Sequence, residues 1–353
     1  FETTICPGGF YCADQTSDPA SCTAGYYCPE GSSAQTICPA GHYCASEVTT
    51  YTLCDAGYVC PAGSASQTSC PGGTYQPTAG RDTGCLSCDE GYYCPEAATA
   101  MTLCPIGSFC PTNSSINTVC ANGTYGTATG YVQQEDCTDC PAQSYCHSGA
   151  IQGDCEAGYF CKGGSDSATP DANITAYNTS LIAQVYYLKS LDNAQCPPGY
   201  YCPKGNVDPI ACPDGTVYQY TTASSASDCG DCPAGYYCLD GNPTPVLCDL
   251  GYYCPYGTTQ ETQQGCPEYT YGASVGLMTA AECTTCPAGY ACNSTGIADY
   301  TNWPCPVGYY CPGATDPVPC PAGTYAPETG YNNTNQCISC PLYSYCPAGS
   351  GNI

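Results

Sequence analysis

Thirty-eight cysteines are the most reactive side chains of this 353-residue chain. A cysteine can act as nucleophile, redox dithiol, metal ligand or half of a disulfide, and its neighbours decide which. Nucleophilic work needs a base beside the thiol. The only histidines are His42 and His147. His42 stands in an aromatic position of a repeated motif, where it substitutes for tyrosine, and His147 follows Cys146 in a linker. Neither has a nucleophile or metal signature around it, so no catalytic residue is expected and the chain reads as a non-enzyme. Five Cys-x-x-Cys pairs occur: Cys85 with Cys88, Cys137 with Cys140, Cys229 with Cys232, Cys283 with Cys286, and Cys337 with Cys340. A zinc ribbon wants two such pairs about 15–20 residues apart. Here the pairs lie far wider apart with other cysteines between them, so they read as junctions between consecutive disulfides.

Charge narrows the partners. Thirty acidic residues stand against Arg81, Lys162, Lys189 and Lys204, a formal charge of −26. Nucleic acid and anionic membranes both demand basic patches, so neither is expected as a partner. The acidity suits an exposed, soluble surface. Bound calcium is the sharper reading, but no Asp-x-Asp-x-Asp-Gly loop supports it, and no cofactor is expected. Six Asn-x-Ser/Thr sequons, at Asn113, Asn122, Asn173, Asn178, Asn293 and Asn332, fit covalently attached glycans on a secreted chain.

Cysteine near a tenth of all residues marks a disulfide scaffold, and such density persists only in an oxidising compartment. An extracellular or cell-surface protein is therefore expected. Four Phe, two Met and one Trp cannot fill a large aliphatic core, whereas 40 Gly and 32 Pro suit turns. Stability must come from covalent staples along the whole length. No apolar run is long enough to span a bilayer. No signal peptide is visible, which reads as a mature start at Phe1.

One motif, Cys-Pro-x-Gly-aromatic-Tyr, recurs 19 times in exact or related form. The fourth slot is Gly except at Gln143, Tyr269 and Tyr343. In fourteen short copies the next cysteine follows after five residues. These copies join Cys6 with Cys12, Cys22 with Cys28, Cys38 with Cys44, Cys54 with Cys60, Cys88 with Cys94, Cys104 with Cys110, and Cys140 with Cys146. They continue with Cys155 and Cys161, Cys196 and Cys202, Cys232 and Cys238, Cys248 and Cys254, Cys286 and Cys292, Cys305 and Cys311, and Cys340 and Cys346. In five long copies the closing cysteine is delayed: Cys70 with Cys85, Cys120 with Cys137, Cys212 with Cys229, Cys266 with Cys283, and Cys320 with Cys337. The five-residue gap never varies, while gaps between motifs run from 2 to 34 residues. A ring closed by a disulfide resists length change and an open linker does not, which favours each motif closing on itself. Crossed pairing between adjacent motifs, such as Cys6 with Cys22 and Cys12 with Cys28, is the rival.

A tight ring fits the residue types. Proline fixes φ at the first turn position and glycine supplies the positive φ that returns the chain. The paired aromatics then form the returning strand. The second aromatic is expected to cover a neighbouring disulfide with its hydroxyl wet, and the more variable first one to face outward. All-local bridges predict a small disulfide-rich repeat fold, a solenoid-like elongated rod of short β-hairpins and turns with little helix, each repeat meeting its neighbours and nothing distant. The copies group as 1–87, 88–139, 140–231, 232–285 and 286–339, with 340–353 opening a further unit, as in a segment of a longer array or a subunit continued by a neighbour.

The stretch 162–195 inside the third group breaks the pattern. It lacks cysteine, carries Asn173 and Asn178, and places Leu181, Ile182, Val185, Leu188 and Leu191 at spacings that suit a short amphipathic helix. Those five either pack on their own repeat or form an interface that docks an adjacent chain.

The long copy followed by Cys-x-x-Cys-Pro-Ala-Gly-Tyr-Tyr-Cys, Cys212 to Cys238, resembles the ephrin-receptor-like cysteine-rich repeat, itself similar in style to tumour-necrosis-factor-receptor and growth-factor-receptor repeats. The resemblance covers nearly the whole chain except the insert. The density of the motif also looks like the tandem arrays in surface proteins of unicellular eukaryotes. It implies extracellular, non-catalytic modules and implies no ligand. The four short motifs at the N-terminus depart from the receptor pattern. The leading expectation is a structural glycoprotein of an extracellular filament, flagellar hair or surface coat, self-associating or meeting other extracellular proteins. The runner-up is the ectodomain of a receptor or adhesin that binds protein or glycan.

Overall fold

Each motif opens with a tight turn. In the first one the Pro7 carbonyl accepts from the Phe10 N–H at 3.1 Å, and Gly9 between them has φ of 87°. That left-handed conformation is the third position of a type II turn, which a side chain makes costly. Phe10–Tyr11 leaves the turn extended and pairs antiparallel with Ala20–Ser21, Phe10 opposite Ser21. The structure, a computed structural model, describes residues 4–14, 18–171, 181–260 and 263–353.

The same hairpin repeats, and in nearly every case the partner strand ends directly before the next motif's first cysteine. In the long copies that strand is the spacer of the Cys-x-x-Cys pair. Leu86–Ser87 pairs with Thr74–Tyr75, Thr138–Asp139 with Thr124–Tyr125, and Ile338–Ser339 with Thr324–Tyr325. The spacer holds two residues because two residues make the strand. Seventeen two-stranded sheets form in this way among the described residues.

Every cysteine closes locally. Among the short copies Cys6 bonds to Cys12, Cys22 to Cys28, Cys38 to Cys44, Cys54 to Cys60, Cys88 to Cys94, Cys104 to Cys110, and Cys140 to Cys146. Further along, Cys155 bonds to Cys161, Cys196 to Cys202, Cys232 to Cys238, Cys248 to Cys254, Cys286 to Cys292, Cys305 to Cys311, and Cys340 to Cys346. The long copies close as Cys70 to Cys85, Cys120 to Cys137, Cys212 to Cys229, Cys266 to Cys283, and Cys320 to Cys337. No described cysteine is free. The crossed alternative does not occur. In the long copies the closing-cysteine slot is filled by Gln76, Gly126, Tyr218, Gly272 and Ala326, so the strand continues while the sulfur arrives later.

The chain divides into two compact units, Phe1–Gly153 with Gly163–Ala168, and Asp154–Lys162 with Thr169–Ile353. Inside the first, three backbone hydrogen bonds join each motif to the next. Gly9 N–H donates to Cys28 O at 2.9 Å, Cys12 N–H to Ser32 O at 3.0 Å, and Gly31 N–H to Cys6 O at 2.8 Å. The second unit repeats them: Gly235 to Cys254 at 2.8 Å, Cys238 to Thr258 at 3.1 Å, and Gly257 to Cys232 at 2.9 Å. Contact also reaches one motif further. A Cβ on Gly25 would lie 2.5 Å from the Gly63 carbonyl oxygen, and one on Gly235 would lie 2.7 Å from that of Gly276. The expected nearest-neighbour stacking is therefore a two-motif reach, because the turns are thin enough to nest.

The core is made of the disulfides. Nearly all fully buried side chains are cysteines, with Phe160, Leu188 and Gln76 as the large exceptions. Where the motif carries two aromatics, both are mostly half-buried; Tyr26 and Tyr252 are just exposed, and Phe160 and Tyr237 are buried. Where the two differ in burial class, the second is the more buried, Tyr27 against Tyr26, Phe160 against Tyr159, Tyr237 against Tyr236 and Tyr253 against Tyr252, in the expected sense. The one α-helix among the described residues, α1, spans Leu181–Ser190.

Candidate functional site

In five short copies the second half of the motif repeats the chemistry of the first. After the second cysteine the chain again reads Pro-x-Gly, and again turns. Pro29 O accepts from Ser32 N–H at 3.2 Å, with Gly31 between them at φ 81°. Asn113, Glu47, Ala97, Thr222 and Ala314 hold the same left-handed place without being glycine. This second turn is the element that stacks on the preceding motif. Its signal is the repeated Cys-Pro-x-Gly at Gly31, Gly63, Gly205, Gly257 and Gly349.

The residue directly before the first cysteine is often apolar and stays half in water. Ile37, Leu53, Leu103, Val119 and Leu247 are each 46–53% exposed. The inner atoms of Ile37, Leu53, Leu103 and Leu247 rest on the glycine of a later turn: a Cβ on Gly80 would be 2.9 Å from Leu53 Cδ1, and one on Gly276 would be 2.9 Å from Leu247 Cδ2. Their outer atoms form an apolar feature shared by several motifs.

Four of the five long copies add a short 3-10 turn held by a side chain. The Asp228 carboxylate accepts from Ser224 N–H at 2.7 Å and Ser225 N–H at 3.0 Å. These bonds hold its pKa below the ordinary 3.8. The Asp136 carboxylate accepts from the Val132 and Gln133 N–H groups in the same way, and the Gln336 side-chain oxygen from Asn332 N–H. Asp299 is likewise lowered by Thr301, through its hydroxyl and then its N–H. Tyr269 occupies a glycine slot at φ 67°, and its phenol is raised above the ordinary 10.0, first by a hydrogen bond to Asp316.

His42 behaves as an aromatic. Its ring meets Tyr51 edge-on at 4.5 Å, and Tyr51 meets Tyr27 at 5.4 Å. His147 is exposed. Asn113, Asn122, Asn293 and Asn332 are exposed, as sequons must be to accept a glycan, while Asn173 and Asn178 lie outside the described residues. Among the described residues no three His, Cys, Asp or Glu side chains converge on a metal position, and no helix is long and apolar enough to cross a membrane.

The insert keeps the hairpin and lengthens its loop. Tyr159–Cys161 pairs with Asn193–Gln195, Phe160 opposite Ala194, so 193–195 is the ordinary partner strand. Phe160 and Leu188 are fully buried, Val185 is 7% exposed, and Leu191 packs on the cluster of Phe160, Ala194, Cys196 and Cys202. Of the two alternatives, packing on the chain's own repeat holds for these residues, and an interface through Val185, Leu188 and Leu191 does not, because Val185 and Leu188 are buried and Leu191 packs on that cluster. The side chains of Leu181 and Ile182 lie outside the description. The outward residues are Tyr186 and Tyr187. Tyr186 and Lys189 face a cleft of about 350 Å³ shared with Tyr200 and the loop 239–243.

No protein-family model matches the chain, and no curated protein matches it. The chain is built of tandem, disulfide-closed hairpins of one type, the kind of structure that an oxidising, extracellular setting maintains.

Proposed function

We propose that the chain is a structural, non-catalytic extracellular glycoprotein that self-associates into a filament, flagellar hair or surface coat. The observation that carries this reading is the recurring exposed apolar residue before the first cysteine, at Ile37, Leu53, Leu103, Val119 and Leu247. A feature shared by several motifs offers a second copy several similar weak contacts, and such contacts multiply in avidity. Tyrosines on the same hairpins add rings that are enriched at interfaces. The charge of −26 keeps the unassembled chain soluble. The likeness to ephrin-receptor-like repeats and to surface arrays of unicellular eukaryotes points the same way, without assigning a partner.

A second reading, the ectodomain of a receptor or adhesin, is favoured by the one departure from the array, the insert with its outward Tyr186 and Tyr187. Electron microscopy of native material, without reductant and at physiological salt, separates the two. Regular filaments with an axial repeat set by one chain support the structural reading. Dispersed monomers over a wide concentration range overturn it.

A further inference from the structure

We infer that the cleft between α1 and the loop 239–243 binds a neutral saccharide. The inference deepens the second reading above and does not depend on the filament.

The cleft, at about 350 Å³, falls at the small end of ligand pockets and suits one or two sugar rings. Tyr186 on its wall is 73% exposed, so its ring face is available. A tyrosine face, negative at its centre, complements the C–H face of a pyranose. Tyr200 lines the same cleft, with the Lys189 ammonium over its ring. The loop fits beside it because residue 241 is glycine: a Cβ there would lie 2.8 Å from the Tyr200 hydroxyl, and φ is 65°.

The polar groups choose the ligand class. Lys189 Nζ lies 4.7 Å from the Tyr200 ring centre and 3.4 Å from its hydroxyl. It is one of four basic residues of the chain, and the ion pairs among the described residues are made by Lys162 and Lys204. The Asp240 carboxylate lines the same cleft and is exposed. Asn242 is held by its Oδ1, which accepts from Thr244 N–H at 3.0 Å. An ammonium that only donates and a carboxylate that only accepts, lining one cleft with an aromatic side chain, match hydroxyls, which do both. An anionic ligand would meet Asp240 and a cationic one Lys189. A neutral sugar satisfies both, and the surrounding negative charge leaves its approach unhindered.

The full chain is tested on an array of neutral and acidic oligosaccharides, and the best neutral probe is then titrated by calorimetry. Neutral probes are expected to bind. Tyr186→Ala and Lys189→Met should each weaken binding about tenfold, the order of one aromatic or charge-assisted contact. Both side chains are exposed, and an unchanged disulfide map and circular dichroism spectrum show that each variant folds. No bound saccharide, or binding of acidic probes alone, overturns the inference. Neutral binding unmoved by both variants overturns the site while leaving the adhesin reading standing. The probe's source is resolved in a second arm. Association of glycosylated copies that the soluble oligosaccharide reverses identifies a glycan on another copy of this chain, and binding to the array without such association identifies a free glycan.

Discussion

Glycine in the fourth place of the motif meets two demands that are separable by mutation. One is backbone: the type II turn holds it at positive φ. The other is space: the next-but-one turn carbonyl sits where a Cβ would be. Gly25 carries both, with φ 88° and the Gly63 oxygen 2.5 Å from the Cβ position. Gly323 carries only the first, with φ 87° and nothing within 4 Å. Gly323→Ala should therefore lower local stability by about 1 kcal/mol, the left-handed penalty alone. Gly25→Ala should lower it by about 3 kcal/mol, because strain and overpacking add. Native-state hydrogen exchange of the flanking amides reads both; equal effects would remove the nesting argument. A carboxylate gives a second test at this scale. Asp228 has its pKa lowered by hydrogen bonds from Ser224 and Ser225. A depressed carboxyl contributes stability above its ordinary value, and the contribution is lost as pH falls through the folded value. The Ser224 and Ser225 amides should become less protected below the ordinary 3.8, and Asp228→Asn should abolish that pH response.

At the scale of the element, the hairpin was largely legible and its partner was not. The invariant five-residue gap, the proline and the glycine define a closed turn, and the aromatics define a returning strand. The strand it pairs with is a dipeptide of no fixed composition, such as Ala20–Ser21, Thr102–Leu103 or Gly230–Asp231, so only its position before a cysteine marks it. The exceptions to glycine were visible as exceptions. That Gln143, Tyr269 and Tyr343 still hold positive φ, at 77°, 67° and 72°, follows from the ring and its neighbours over-determining the turn. The insert was legible as a helix, but its direction of packing was not, since the cluster that Leu191 packs on, Phe160, Ala194, Cys196 and Cys202, lies outside the helix. Leu188→Ala should cost about 2–5 kcal/mol by cavity formation, whereas Tyr187→Ala should cost almost nothing in thermal unfolding. At Tyr269 the phenol is raised chiefly by its hydrogen bond to Asp316. A group whose folded pKa is raised contributes stability below the ordinary value, lost as pH climbs through the folded one. Asp316→Asn should bring that phenol back toward 10.0 in an ultraviolet titration, and Tyr269→Phe should remove it.

For the whole molecule, the consequence of a core built from disulfides is locality. Each bridge of five-residue span constrains the unfolded chain by about 2 kcal/mol in the loop-entropy account, and no aliphatic core averages the loss over the fold. The motif closed by Cys248 and Cys254 is joined to the preceding one through Gly235 N–H and Cys254 O, lies against Gly215 through the Gly257 carbonyl, and meets the Gly296 carbonyl two motifs on. Replacing both cysteines by alanine should raise hydrogen exchange between 212 and 296 and leave 320–346 as in the parent chain. A change spreading evenly through the second unit would mean that stacking is cooperative over more than two motifs, and that the ladder of carbonyls, rather than the sulfurs, sets how far a local opening travels.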